Sequence, residues 1–177
     1  MKIACLGWGS LIWKPAELPI EGQWQANGPH LPVEFCRVGE TGELATALCV
    51  DAVPVPVLWA WLAPTDLTEA CAALKHREGI PADRTDGVGS LLVTEYPAGP
   101  LVRWANEQGI EALIWTALPP RFDNVEGRIP SAMATVRYLS SLEGETLEHA
   151  RTYMESVPAQ IATTYRQIIG QQLGWSV

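Results

Sequence analysis

The sequence predicts an α+β protein: a mixed β-sheet or small barrel of about six to seven strands with flanking helices. Three observations lead there. Short apolar runs bounded by glycine and proline recur through residues 2–62, then at 90–96 and 111–118. One helical pattern is inserted among them, and the last third, about 131–174, has helical periodicity. The strands do not alternate regularly with helices, so a repeating βαβ array is excluded. The 177 residues are read as one domain spanning 1–177, long enough to hold a core without staples.

Each element has its own warrant. Residues 2–8 are a short apolar run, read as a buried strand, and Gly7-Trp8-Gly9-Ser10 is a tight turn leaving it. Residues 15–32 carry four prolines and two glycines and are expected to be irregular. Residues 33–38 and 44–50 form a strand pair joined by Gly39-Glu40-Thr41-Gly42-Glu43. Residues 55–62 are apolar throughout after Pro56, as a central strand covered on both faces would be. A helix opens at Pro64 or Thr65, has Asp66 and Glu69 in its first turn, and runs to about Glu78 with Gly79 as its stop. Residues 90–96 are a strand, 100–108 a helix closed by Gly109, and 111–118 a strand ended by Pro119-Pro120. Residues 131–142 and 145–173 are helical, the second interrupted at Pro158. The loop 119–130 is the candidate hinge, and its charges Arg121, Asp123, Glu126 and Arg128 read as a solvated face.

Composition narrows the function. A net charge of −8 and a pI near 4.8 argue against nucleic acid as a partner, which calls for a basic patch. The N-terminal apolar run is too short for a signal peptide or a membrane span, so no membrane association is expected. Cys5, Cys36, Cys49 and Cys71 show no C-x-x-C and no zinc spacing, and three of them lie in apolar runs. That distribution fits a reduced, cytoplasmic setting. His30, His76 and His149 are far apart and form no metal-ligand motif, so no metal is expected.

Two features can carry chemistry. The turn Gly7-Trp8-Gly9-Ser10 lacks the third glycine of a dinucleotide fingerprint, and it is not a G-x-S-x-G elbow around Ser10. It does offer backbone N–H groups just past a buried strand, suited to a carboxylate or an oxyanion. Glu78 is the second feature. Leu67, Cys71 and Leu74 define an apolar stripe, and Glu78, eleven residues after Leu67, falls within about 20° of it at ~100° per residue. Arg77 is rotated away from that stripe. A carboxylate facing inward at the negative end of a helix is pushed toward the neutral form, as a proton-transfer group requires. The plainer reading is that Glu78 turns to water or pairs with a basic neighbour. Trp59 and Trp61 share one strand face and read as core; Trp8 and Trp13 flank the turn, where core and ligand platform remain equal alternatives.

Gly7-Trp8-Gly9-Ser10-Leu11-Ile12-Trp13 resembles the G-Y-G-S-L-I-W signature of the γ-glutamylcyclotransferase superfamily, its ChaC-type branch in particular, with Trp8 where the family has tyrosine. Leu74-Lys75-His76-Arg77-Glu78-Gly79 is similar to that family's L-D-x-R-E helix end, with Lys75 in place of the aspartate. Residues 57–62 are comparable to the strand that precedes it. The resemblance implies a γ-glutamylcyclotransferase-like fold. It also implies a substrate cradle of Gly7, Trp8, Gly9, Ser10, Leu11 and Ile12, and Glu78 as the catalytic acid/base. The implied reaction releases 5-oxoproline from a small-molecule γ-glutamyl amine, amino acid or peptide, with no cofactor. The G-G-Y that commonly follows the glutamate is absent here, so glutathione is not singled out as substrate. The alternative is a non-catalytic small-molecule-binding or interaction protein that keeps the fold.

Overall fold

A computed structural model describes residues 1–96 and 98–177. The class is α+β: among the described residues are five α-helices and seven strands of five or six residues, with four two-residue strands besides. They gather into two compact units.

The first unit takes in Met1–Gly7, Leu11–His30 and Pro56–Leu118. Its sheet joins β1 (Ile3–Gly7), β2 (Ile20–Gln25), β7 (Leu58–Leu62), β8 (Gly87–Leu92) and β9 (Ala112–Ala117), in the order β2-β7-β1-β9-β8. β1 runs parallel to β9 and antiparallel to β7, so the sheet is mixed. It ends on β2 and β8 and is open, where the sequence reading allowed a small barrel. All five residues of β1 are buried, as expected of a central strand. Against this sheet lies α1 (Leu67–Arg77), whose Ala70 and Leu74 enter a core with Ile3, Cys5, Leu11, Leu18 and Ile114. Asp66 caps α1 by accepting from the Glu69 N–H, so the acidic start expected from sequence serves as a cap. α2 (Pro100–Gln108) begins on its proline and stops at Gly109, at the bounds its sequence marks. Trp59 packs edge-on against Trp61 and Trp104, and both Trp59 and Trp104 donate their indole N–H to Asn27, at its side-chain and main-chain oxygens. Trp59 is thus core, as read.

The second unit takes in Trp8–Ser10, Leu31–Val55 and Pro119–Val177. β4 (Val33–Val38) and β5 (Leu44–Leu48) form the expected antiparallel pair, with a register shift between Phe35 and Arg37. β10 (Arg121–Phe122) pairs parallel with β4 and antiparallel with β11 (Val125–Glu126), giving the order β11-β10-β4-β5. Asp123 and Asn124, both at positive φ, make the tight turn between β10 and β11. The helices are α3 (Ala132–Ser140), α4 (Gly144–Ser156) and α5 (Thr164–Leu173). Pro158 separates α4 from α5 outright, and the break is closed by Arg166, which is 5% exposed. Its guanidinium donates to the carbonyls of Met154 and Val157 at the end of α4 and to those of Pro158 and Ile161 in the segment before α5.

Four elements differ from the sequence reading. Residues 15–32 are not wholly irregular: β2 pairs with β7 through a bulge, and its Ile-Glu-Gly-Gln-Trp-Gln gives no apolar run to announce it. The strand read over 55–62 is divided into β6 (Val55–Pro56) and β7, because Val57 donates its N–H to Pro29. β8 begins three residues before Ser90 and gives way at Val93 to a 3-10 turn, where its ladder with β9 has ended at Leu92 opposite Ala112. The loop 119–130 holds the β10–β11 hairpin, and one boundary between the units falls at its start. The short strand β3 (His30–Leu31) pairs with β6. Among the described residues no helix is long and apolar enough to cross a membrane.

Candidate functional site

Glu78 closes α1. Its N–H still bonds the Leu74 carbonyl, and its backbone is helical, so it continues the face of Ala70 and Leu74 toward the sheet. The side chain is 14% exposed. The inward position read from the periodicity is therefore the one observed, and the last turn does not release it to water; the other arm of the plainer reading, pairing with a basic neighbour, is met by Arg77 at 3.2 Å. Cys5 on β1 lies near enough for the Glu78 charge to add to burial in holding its thiol well above the usual cysteine range. Cys71, hydrogen-bonded with the Ser90 side chain, is also raised by burial. Neither thiol is in a setting that favours thiolate, which disfavours cysteine nucleophile chemistry.

Arg77 departs from its expected place. Its Cα lies off the apolar stripe, yet its long side chain turns back and is only 12% exposed. Nη1 donates to Glu78 Oε1 at 3.2 Å, while Nε and Nη2 donate to the Lys14 carbonyl at 3.2 and 2.5 Å. One guanidinium thus ties the carboxylate to the chain segment that follows the glycine turn. Lys75, His76 and Arg77 place basic groups in the last turn, where they oppose the helix dipole's effect on Glu78.

The loop residues divide. Gly7, Leu11 and Ile12 belong to the first unit with Glu78, and Trp8, Gly9 and Ser10 to the second. Gly7 is a packing glycine: a Cβ there would lie 2.6 Å from the Trp24 ring. Leu11 is buried in the core beside Cys5 and Leu74, and Ile12 is partly buried. Any contact that Leu11 makes with a ligand is therefore made by its main chain.

In the second unit, Trp8 is 4% exposed, which settles its side chain as buried, whereas Trp13 of the first unit is 38% exposed. Thr46, on β5, donates its hydroxyl to the Trp8 carbonyl at 2.9 Å. Tyr153, on α4, stands 3.3 Å from the Thr46 hydroxyl and accepts the Thr46 N–H at 3.3 Å. A Cβ on Gly9 would meet both hydroxyl oxygens at 2.7 Å. Ser10 is half-buried in the turn. Thr46 and Tyr153 were not singled out from sequence. They are 107 residues apart, and each is one polar group in an otherwise ordinary strand or helix.

Among the described residues no three His, Cys, Asp or Glu side chains converge as a metal site would need. Compared with known proteins, the chain matches no family model and no curated protein.

Proposed function

We propose that this chain is a γ-glutamylcyclotransferase-like enzyme that releases 5-oxoproline from a γ-glutamyl amine, amino acid or peptide. The α-amine of such a substrate is protonated at neutral pH and cannot attack. Glu78 removes that proton, and the freed amine closes a five-membered ring on its own γ-carbonyl. The oxyanion of the tetrahedral intermediate calls for main-chain N–H donors, a part that the resemblance gives to the Gly7–Ile12 loop. Collapse of the intermediate breaks the amide C–N bond: Glu78 gives the first proton to the departing nitrogen and then relays to it the second proton that the ring nitrogen sheds, so the amine leaves in its protonated form and Glu78 ends as a carboxylate. Atoms balance with no other reactant: one amide gives one lactam and one free amine.

The observation that supports this reading best lies in the first unit. A mostly buried carboxylate at the end of α1 is held by Arg77, and the same guanidinium holds the Lys14 carbonyl just after the loop. A proton-transfer group has to keep one orientation through the reaction, and this clamp limits its rotation.

The test is 5-oxoproline release from a panel of γ-glutamyl compounds, glutathione included, by wild type and Glu78→Gln. The substitution keeps size and removes the proton acceptor, so release is expected to fall by at least about a hundredfold. Equal release by both proteins would leave the reaction standing and remove Glu78 from it. A folded wild type that releases nothing from any member would refute the enzyme reading and leave a non-catalytic binding protein.

A further inference from the structure

We infer that Thr46 and Tyr153 are positioning residues that set the direction of the Gly9 N–H, the donor of the glycine turn; this rests on the cyclotransferase reading for its use, though not for its geometry. The argument is one of peptide planarity. In a trans peptide the carbonyl of residue 8 and the N–H of residue 9 lie in one plane and point in opposite directions. Fixing one fixes the other.

The Trp8 carbonyl is fixed by Thr46, whose hydroxyl donates to it at 2.9 Å. That bond uses the only proton the hydroxyl has. Across the 3.3 Å between Thr46 Oγ1 and Tyr153 Oη, the phenol is then the group with a proton to give. Tyr153 in turn accepts the Thr46 N–H at 3.3 Å, so the phenol is placed by the backbone of β5 itself. The hydroxyl of Thr46 is buried, and a hydrogen bond away from water keeps its geometry better than one at the surface. The relay runs from strand to phenol to hydroxyl to carbonyl, and it leaves the Gly9 N–H aimed the other way. The absence of a side chain at Gly9 belongs to the same device: both hydroxyls come within 2.7 Å of where a Cβ would be. Any other residue would push the relay apart.

An oxyanion donor contributes through its direction, since it must aim at where charge develops. Loss of the relay should therefore appear in turnover more than in substrate affinity. The variants are Thr46→Val, which keeps the shape and drops the hydroxyl, and Thr46→Ser, which keeps the hydroxyl. Two readouts are taken: the amide proton and nitrogen resonances of Gly9, and kcat and KM for 5-oxoproline release. The Val variant is expected to shift the Gly9 amide and lower kcat about tenfold with KM within about twofold, while the Ser variant stays near wild type in both. Tyr153→Phe, which cuts the outer link only, should move the Gly9 amide in the same direction by less, and it serves if Thr46→Val does not fold. An unmoved Gly9 amide in the Val variant, or equal damage by Val and Ser, overturns the inference whatever the activity does. A wild type without cyclotransferase activity removes the reaction, and the Gly9 resonance still decides the positioning.

Discussion

Replacing Gly9 by alanine brings a methyl group against Thr46 Oγ1 and Tyr153 Oη at 2.7 Å each, about 0.7 Å inside ordinary contact. Relieving two such contacts costs about 2 kcal/mol by the measure of overpacked sites, less a few tenths because alanine restricts the unfolded chain. Tyr153→Phe alone removes one hydrogen bond, about 1 kcal/mol. In the double variant the phenol oxygen is gone, and the next Tyr153 atom, Cζ, is at a comfortable 3.9 Å. One of the two close contacts then disappears, so the second substitution should cost little. The pair should be less destabilised than the sum of the singles by about 1 kcal/mol. The assay is native-state hydrogen exchange at the amides of β4 and β5, which reads the opening of the unit that holds all three residues. Additivity within about 0.3 kcal/mol would refute the placement of the phenol over Gly9.

Two further predictions concern the second unit. Burial pushes the Glu34 carboxyl above its ordinary 4.5, against hydrogen bonds from Thr163 and from the N–H groups of Phe35 and Tyr165 that act the other way. The folded chain then holds this proton more firmly than the unfolded one, so its contribution to stability is full below 4.5 and is lost as pH rises through the raised value. Urea midpoints measured from about pH 4 to about pH 7 should show that decline in wild type and a flatter profile in Glu34→Gln; identical profiles would remove Glu34 as the cause. Arg166→Met removes the guanidinium from four main-chain carbonyls, of which that of Pro158 still accepts the Ile161 N–H, and should destabilise by about 3–5 kcal/mol. Arg166→Lys, whose single ammonium cannot reach all four, should recover less than half of that loss, and full recovery would show that charge alone matters.

Legibility from sequence followed the strength of local signals. α2 was found to the residue because Pro100 and Gly109 mark both ends. The β4–β5 pair is legible from two strand-like runs around a glycine-bounded connection, and α1 from apolar spacing that matches one helix face. β2 was missed because its pairing with β7 supplies what its own residues do not, a partner for the main chain. The same limit applies at the site. The inward position of Glu78 follows from periodicity within one helix. The turned-back Arg77 does not, because a long side chain reaches where its Cα does not point. Thr46 and Tyr153 were invisible for a third reason: what joins them is a contact across 107 residues, and neither type is unusual where it stands.

The glycine turn presents a more general difficulty, and its structure resolves part of it. Gly7 is required by Trp24, Gly9 by Thr46 and Tyr153, and Leu11 by the core around Leu74. Gly7, Gly9 and Leu11 therefore each have a packing reason to be what they are, whereas Trp13 is 38% exposed. That does not argue against a ligand role, because the groups left over are the peptide N–H and C=O units, which the sequence does not display. A turn whose side chains are committed to packing has its main chain held still, and a still main chain is what an oxyanion donor needs. Under the proposed reaction, packing and catalysis would call for the same residues here for different reasons. A substitution in this turn tests function only when the direction of the amide is measured with the rate, because a side-chain change alone reports on both at once.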